Sequence, residues 1–180
     1  MDYVTEAAVA SSAPPASAKE ALAQWTSENT PAYSLDGMQC WGRLLSVHDG
    51  DTVTVAAEAF PGRVVQLHLR LAGIDTPEMT SKDPAIKARA EAARVRLTRL
   101  LAPDVVVPDA PHHLTLPEIR DLLQADVNLV FIRCGGMDKY GRVLAALSAT
   151  ADGRSAADVL LEEGLAKPYD GGKKSSWDDA

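Results

Sequence analysis

The chain has 180 residues, 46% hydrophobic and only 5% aromatic, which gives room for one ordinary domain with a core of Leu, Val and Ala plus some loose ends. Its formal net charge of −7 argues against a non-specific nucleic-acid coat protein, which carries a basic surplus. That charge does not exclude an enzyme acting on nucleic acid, because local arginines and a bound cation reverse the sign of a single cleft. Two cysteines, Cys40 and Cys134, are too few for a disulfide scaffold and lack zinc-ligand spacing, so a buried thiol pair is expected. The opening Met1-Asp2-Tyr3-Val4-Thr5-Glu6 carries acids where a signal peptide needs positive charge, and no run approaches a membrane span. The expectation is a soluble protein with no membrane partner, cytoplasmic and monomeric by default.

Residues 1–36 are rich in Ala, Ser and Pro and bury too little apolar area to offset ordering entropy, so they read as a flexible arm with a weak helix around Lys19–Trp25. A domain is expected over 37–170, followed by a polar tail over 171–180. Trp41–Val47 reads as a first strand, Asp49-Gly50 as a hairpin turn and Asp51–Ala57 as a second strand. In the third strand Val65, Leu67, Leu69 and Leu71 alternate with Gln66, His68 and Arg70, which places Arg70 off the apolar face. That strand is expected to end at Asp75, where Pro77 cannot continue a ladder.

Asp83 and Pro84 open a helix to about Leu101, with Ile86, Ala90, Ala93, Leu97, Leu100 and Leu101 as its apolar stripe and Lys87, Arg89, Arg94 and Arg96 as a solvated face. The segment 103–126 is looser. Pro108, Pro111 and His112-His113 look like loop, and Thr115-Leu116-Pro117-Glu118 resembles a capping box before a short helix. Val127–Ile132 is a fourth strand, Gly135-Gly136 a turn and Val143–Ser148 a fifth strand. Ser155 caps a last helix, Ala156–Glu163, that stops at Gly164. Five short strands with a helix between the third and fourth give an α+β, mainly β class: a five-stranded OB-fold barrel with two to three helices.

Within this frame Asp51 follows the first turn and Asp75 ends the third strand, so both carboxylates can converge on one mouth of the barrel. Two carboxylates, a backbone carbonyl and waters make an incomplete oxygen shell that suits calcium and leaves room for a substrate oxygen. Glu78 lies close enough to orient a water as general base, and Arg70 and Arg142 supply forked donors for phosphoryl oxygens. Each piece has a plainer reading: Asp49-Gly50-Asp51 as turn chemistry, Asp75-Thr76-Pro77 as a strand end, His48 and His68 as surface or packing residues. A glycosidase also uses two carboxylates but does not call for two arginines. The signal lies in the conjunction.

The set Asp49-Gly50-Asp51-Thr52, Arg70 through Glu78, Asp138-Lys139-Tyr140-Gly141-Arg142 and Gly164-Leu165-Ala166-Lys167 resembles the staphylococcal nuclease (thermonuclease) family, in order and pattern, from about residue 40 to 170. The resemblance implies an OB-fold phosphodiesterase, an endonuclease that cleaves DNA, RNA or both with Ca2+. It implies Asp51, Asp75 and the Thr76 carbonyl as calcium ligands, Glu78 as general base and Arg70 and Arg142 as the phosphate clamp. Lys139 and Tyr140 match positions contacting a terminal phosphate. The chain departs from the pattern in the 103–126 insertion, in a short loop from Met79 to Asp83 and in the segment after Lys167, where a third helix is missing and Tyr169 alone represents the expected tyrosines. The competing expectation is a catalytically silent OB module that binds nucleic acid or protein.

Overall fold

The computed structural model describes residues 16–108, 114–172 and 176–177. Most of the Ser11–Ala18 stretch, the His112-His113 pair and Asp178-Asp179 lie outside the described residues. The chain divides into two compact units between Tyr33 and Ser34. The first carries helix α1 (Ala16–Leu22), none of whose residues is buried.

The second unit is built on strands whose alternation sets its inside. β1 (Gln39–Asp49), β2 (Thr52–Phe60) and β3 (Arg63–Leu71) form an antiparallel meander, with Leu44 opposite Val55 and Val53 opposite Leu69. β3 then runs parallel to β6 (Val143–Ser148), β6 antiparallel to β5 (Leu129–Met137), and β5 returns to β1. The result is a closed five-stranded mixed barrel in the order β1-β2-β3-β6-β5, the OB-like α+β arrangement expected from the element order. Leu44, Val53, Leu69, Ile132 and Leu147 are fully buried inside it. Closure leaves the barrel no free edge.

Helix α2 (Pro84–Leu101) begins where the residues dictate: the Asp83 side chain accepts from the Ala85 and Ile86 amides, and proline takes the first turn. Its Ala90, Ala93, Leu97 and Leu101 are buried, whereas Ile86 and Leu100 are half-buried. α3 (Leu116–Gln124) lies in the insertion and starts on the expected capping box between Thr115 and Glu118, burying Ile119 and Leu123. α4 (Ala156–Glu162) is capped by Ser155 and ends before Gly164, which sits at φ 70°. Both cysteines are free; burial, with Cys40 nearby, pushes the Cys134 thiol up to about 11. Among the described residues no helix is long and apolar enough to cross a membrane.

Several expectations are corrected. Gly135 and Gly136 lie inside β5, not in a turn, at a register shift against β6 between Cys134 and Met137. Two residues of β5 stand there against one of β6, the arrangement of a β-bulge. Asp75 does not end the third strand; β3 stops at Leu71 and Ile74–Asp75 forms a separate strand, β4, paired with β7 (Lys167–Pro168). Arg94, expected on a solvated face, and Arg70, expected off the apolar face of its strand, are each only 6% exposed. Periodicity identifies the apolar face but cannot see ion pairs or carbonyls that bury a guanidinium on the other.

Candidate active-site cleft

The β1–β2 turn brings Asp51 beside the end of β3. Thr52 is in register with Arg70, and the Leu71 amide donates to the Asp51 carbonyl at 2.8 Å. Beyond Leu71 the chain reverses through Gly73, whose φ of 79° is cheap only for glycine, and re-enters as β4. β7 fixes that segment: Asp75 pairs with Lys167, and the Tyr169 amide donates to the Gly73 carbonyl at 2.9 Å. The Gly164–Lys167 run thus turns off α4 and steadies the strand that carries Asp75.

Both carboxylates fold onto one guanidinium. Arg70 Nη1 pairs with Asp51 Oδ2, while Nη2 lies 3.1 Å from Asp75 Oδ1 and donates to the Ile74 carbonyl at 3.1 Å. Burial works against the Arg70 charge, but the two carboxylates outweigh it and lift its pKa above the ordinary arginine value. Thr52 Oγ1 donates to Asp51 Oδ1 at 2.8 Å, and the Tyr169 ring lies 5.6 Å from the Arg70 guanidinium.

Arg142 reaches the same cluster from the β5–β6 loop. Asp138 organises that loop: its Oδ1 accepts from the amides of Tyr140 and Arg142 at 2.8 and 2.9 Å, and its Oδ2 from Arg142 Nε at 2.7 Å. Burial acts to raise the Asp138 carboxyl; these hydrogen bonds outweigh it and hold it below the usual carboxylate range. Arg142 Nη1 lies 3.5 Å from Thr52 Oγ1, the hydroxyl already bound to Asp51. The exposed Tyr140 ring lies within cation–π range of two cations, 5.2 Å from Lys139 Nζ and 5.6 Å from the Arg142 guanidinium.

Asp51, Arg70, Thr76, Glu78, Lys139, Tyr140 and Arg142 line one cleft of about 880 Å³, and Asp75 meets it through Arg70. Glu78 is exposed at the rim. Asp49, Thr52 and Asp138, given no site role from the sequence, also line or brace the cleft, as does Tyr169, the one tyrosine left of those expected after Lys167. For Asp138 the signal was at hand, since a carboxylate four residues before an arginine is placed to hold it. Asp49 is pushed up, first by burial and then by Asp51 and Glu78, with Arg94 and Arg142 opposing.

A family model described as staphylococcal nuclease homologue matches residues 68–179, more than half of the chain. The chain belongs to this family. A search of the curated proteins finds no match. In this staphylococcal nuclease homologue the matched segment starts inside β3 and holds every sequence candidate except Asp51. Asp51 is nevertheless locked to that segment by the Arg70 ion pair and by the Leu71 amide.

Among the described residues no group of three or more His, Cys, Asp or Glu is arranged to hold a metal ion. What converges is a pair of carboxylates next to Thr76, oxygen donors only. That donor set fits a hard cation completed by a carbonyl, waters and substrate oxygens, and it does not fit zinc, which favours nitrogen and sulfur.

Proposed function

We propose that the protein is a calcium-dependent endonuclease that hydrolyses phosphodiester bonds of DNA, RNA or both. The observation that carries the reading is the single buried cluster in which Arg70 spans Asp51 and Asp75 while Arg142 reaches it through Thr52. Electrostatics supports the need for a cation. The cleft is lined by the acids Asp49, Asp51, Glu78, Asp138 and Asp170 against the bases Arg70, Lys139 and Arg142, a balance that repels a polyanion.

In this reading Asp51, Asp75 and the Thr76 carbonyl hold calcium. When bound, the ion supplies positive charge to the phosphoryl oxygens, where negative charge accumulates in the transition state. Glu78 takes the proton of the attacking water as its oxygen bonds to phosphorus and the phosphorus–oxygen bond to the leaving group breaks. Arg70 and Arg142 donate to the phosphoryl oxygens, and their fixed orientation makes those hydrogen bonds stronger in the transition state than in bound substrate. Asp138 keeps Arg142 aimed, and Lys139 and Tyr140 at the rim meet a terminal phosphate.

Incubating the full chain with single-stranded DNA or RNA tests this. Short products with calcium and none with EDTA support the reading. Retention by the protein without any cleavage replaces the enzyme with a nucleic-acid-binding module.

A further inference from the structure

We propose that Arg94 is a positioning residue for the Asp49-Gly50-Asp51 turn, and that the 103–126 insertion anchors it; the proposal rests on the nuclease reading above. Arg94 lies on α2, outside the cleft, and is 6% exposed. Its Nη1 reaches the carbonyl of His48, the residue before the turn, at 3.5 Å. Its Nη2 donates to the carbonyl of Leu114, in the insertion. Its Nε is buried with no hydrogen-bond partner, and the charges that act on it are those of Asp49 and Glu91. One planar fork therefore joins the end of β1 to the insertion.

The turn is held on a second side as well. A Cβ on Gly50 would lie 2.6 Å from Ala93 Cβ and 2.9 Å from Thr76 Cγ2, so the turn sits flush against the helix residue next to Arg94 and against the proposed calcium ligand Thr76. The His48 ring is itself fixed, with Nε2 3.0 Å from Ser46 Oγ and 2.8 Å from Thr54 Oγ1. On the far side, Leu114 immediately precedes the capped start of α3, which buries Ile119 and Leu123 and packs along β1. The Leu114 carbonyl thus stands one residue before that capped helix start.

Burying a guanidinium costs several kcal/mol before its partners offset it, and an apolar side chain would fill the space without that cost. What arginine adds is direction: two donors in a rigid plane aimed at two different segments, which a lysine cannot reproduce. A turn held within a fraction of an ångström keeps Asp51 aligned with Asp75, and misplacing a catalytic constellation by about 1 Å costs up to about 10²-fold in rate.

The test uses the full chain and Arg94→Met and Arg94→Lys, read three ways: calcium titration by calorimetry, kcat and KM on an oligonucleotide, and amide hydrogen exchange. Arg94→Met is expected to weaken calcium binding and lower kcat about tenfold or more with KM little changed. Amides at 49–52 should exchange faster while those of β5 and β6 stay protected. Arg94→Lys should recover part of the rate; if Arg94→Met does not fold, faster exchange at 49–52 alone in Arg94→Lys carries the same support. Unchanged kcat and calcium affinity in a folded variant, or exchange that accelerates evenly around the barrel, overturns the proposal. Should the wild type neither bind calcium nor cut, the nuclease reading falls, while local exchange at 49–52 still decides whether Arg94 holds the turn.

Discussion

Arg70 and Asp51 form an ion pair in which both side chains are buried, 7% and 6% exposed, and the same guanidinium holds Asp75 at 3.1 Å. Arg70→Ala would take from buried Asp51 and Asp75 the guanidinium they share, a loss of the kind that costs about 3–5 kcal/mol. The variant should therefore unfold at lower urea, and added calcium should restore part of the loss by replacing the missing positive charge. Its kcat should fall on the order of 10²-fold, as when a transition-state donor is removed. Urea midpoints with and without calcium check the first claim; a destabilisation that calcium leaves untouched would remove the cation from the pair of carboxylates.

Gly50 is required for close approach and not for an unusual backbone angle. Gly50→Ala must push Ala93 or Thr76 aside and should cost about 1–3 kcal/mol while lowering activity through the displaced turn. Gly136→Ala is the matched control, since a Cβ there meets nothing within 4 Å. Equal melting temperatures for the two variants would contradict the packing of the turn.

His48 gives stability a defined pH dependence. Burial first, and then Arg120, His68 and Arg94, hold its pKa below the ordinary 6.5. As pH falls through 6.5 the unfolded chain takes up a proton that folded His48 does not, so stability declines on the acid side and is level above. His48→Gln should flatten that limb between about pH 5 and 7.5 in urea titrations. An unchanged slope would assign the dependence to another group.

The boundary between the units makes a sharp truncation test. Leu35 is 6% exposed and packs in the barrel core, and the Gly37 amide donates to the Cys134 carbonyl at 3.0 Å. Deleting residues 1–33 should leave stability and activity nearly unchanged, whereas deleting 1–36 should cost about 2 kcal/mol for the lost leucine. Circular dichroism melts of the two truncations separate them.

Local signals in the sequence were reliable where one residue type satisfies one local need. Asp83 with Pro84 and the Thr115–Glu118 box start their helices as the spacing predicts, and Ser155 caps α4. The barrel class was legible because five short strands with one helix between the third and fourth is the element order of that fold, whereas the β3–β6 and β5–β1 pairings that close it appear only in the structure. The burial of Arg70 and Arg94 was not, because it depends on partners far along the chain, Asp51, His48 and Leu114. The β4–β7 pair was equally hidden, since two-residue strands carry no period of their own. Of the candidate site, the sequence placed Asp51 and Asp75 toward one mouth of the barrel, but the convergence of both on one guanidinium is a property of the closed barrel.

The most direct measurement is the rate of cleavage of an end-labelled single-stranded oligonucleotide as calcium is titrated, for the wild type and for Asp75→Ala. A calcium-dependent nuclease of this design should show a rate that rises and saturates with calcium in the wild type, vanishes with EDTA, and falls sharply in Asp75→Ala with a higher calcium requirement. The same calcium dependence in both proteins, or no cleavage by folded wild type at any calcium concentration, would contradict it.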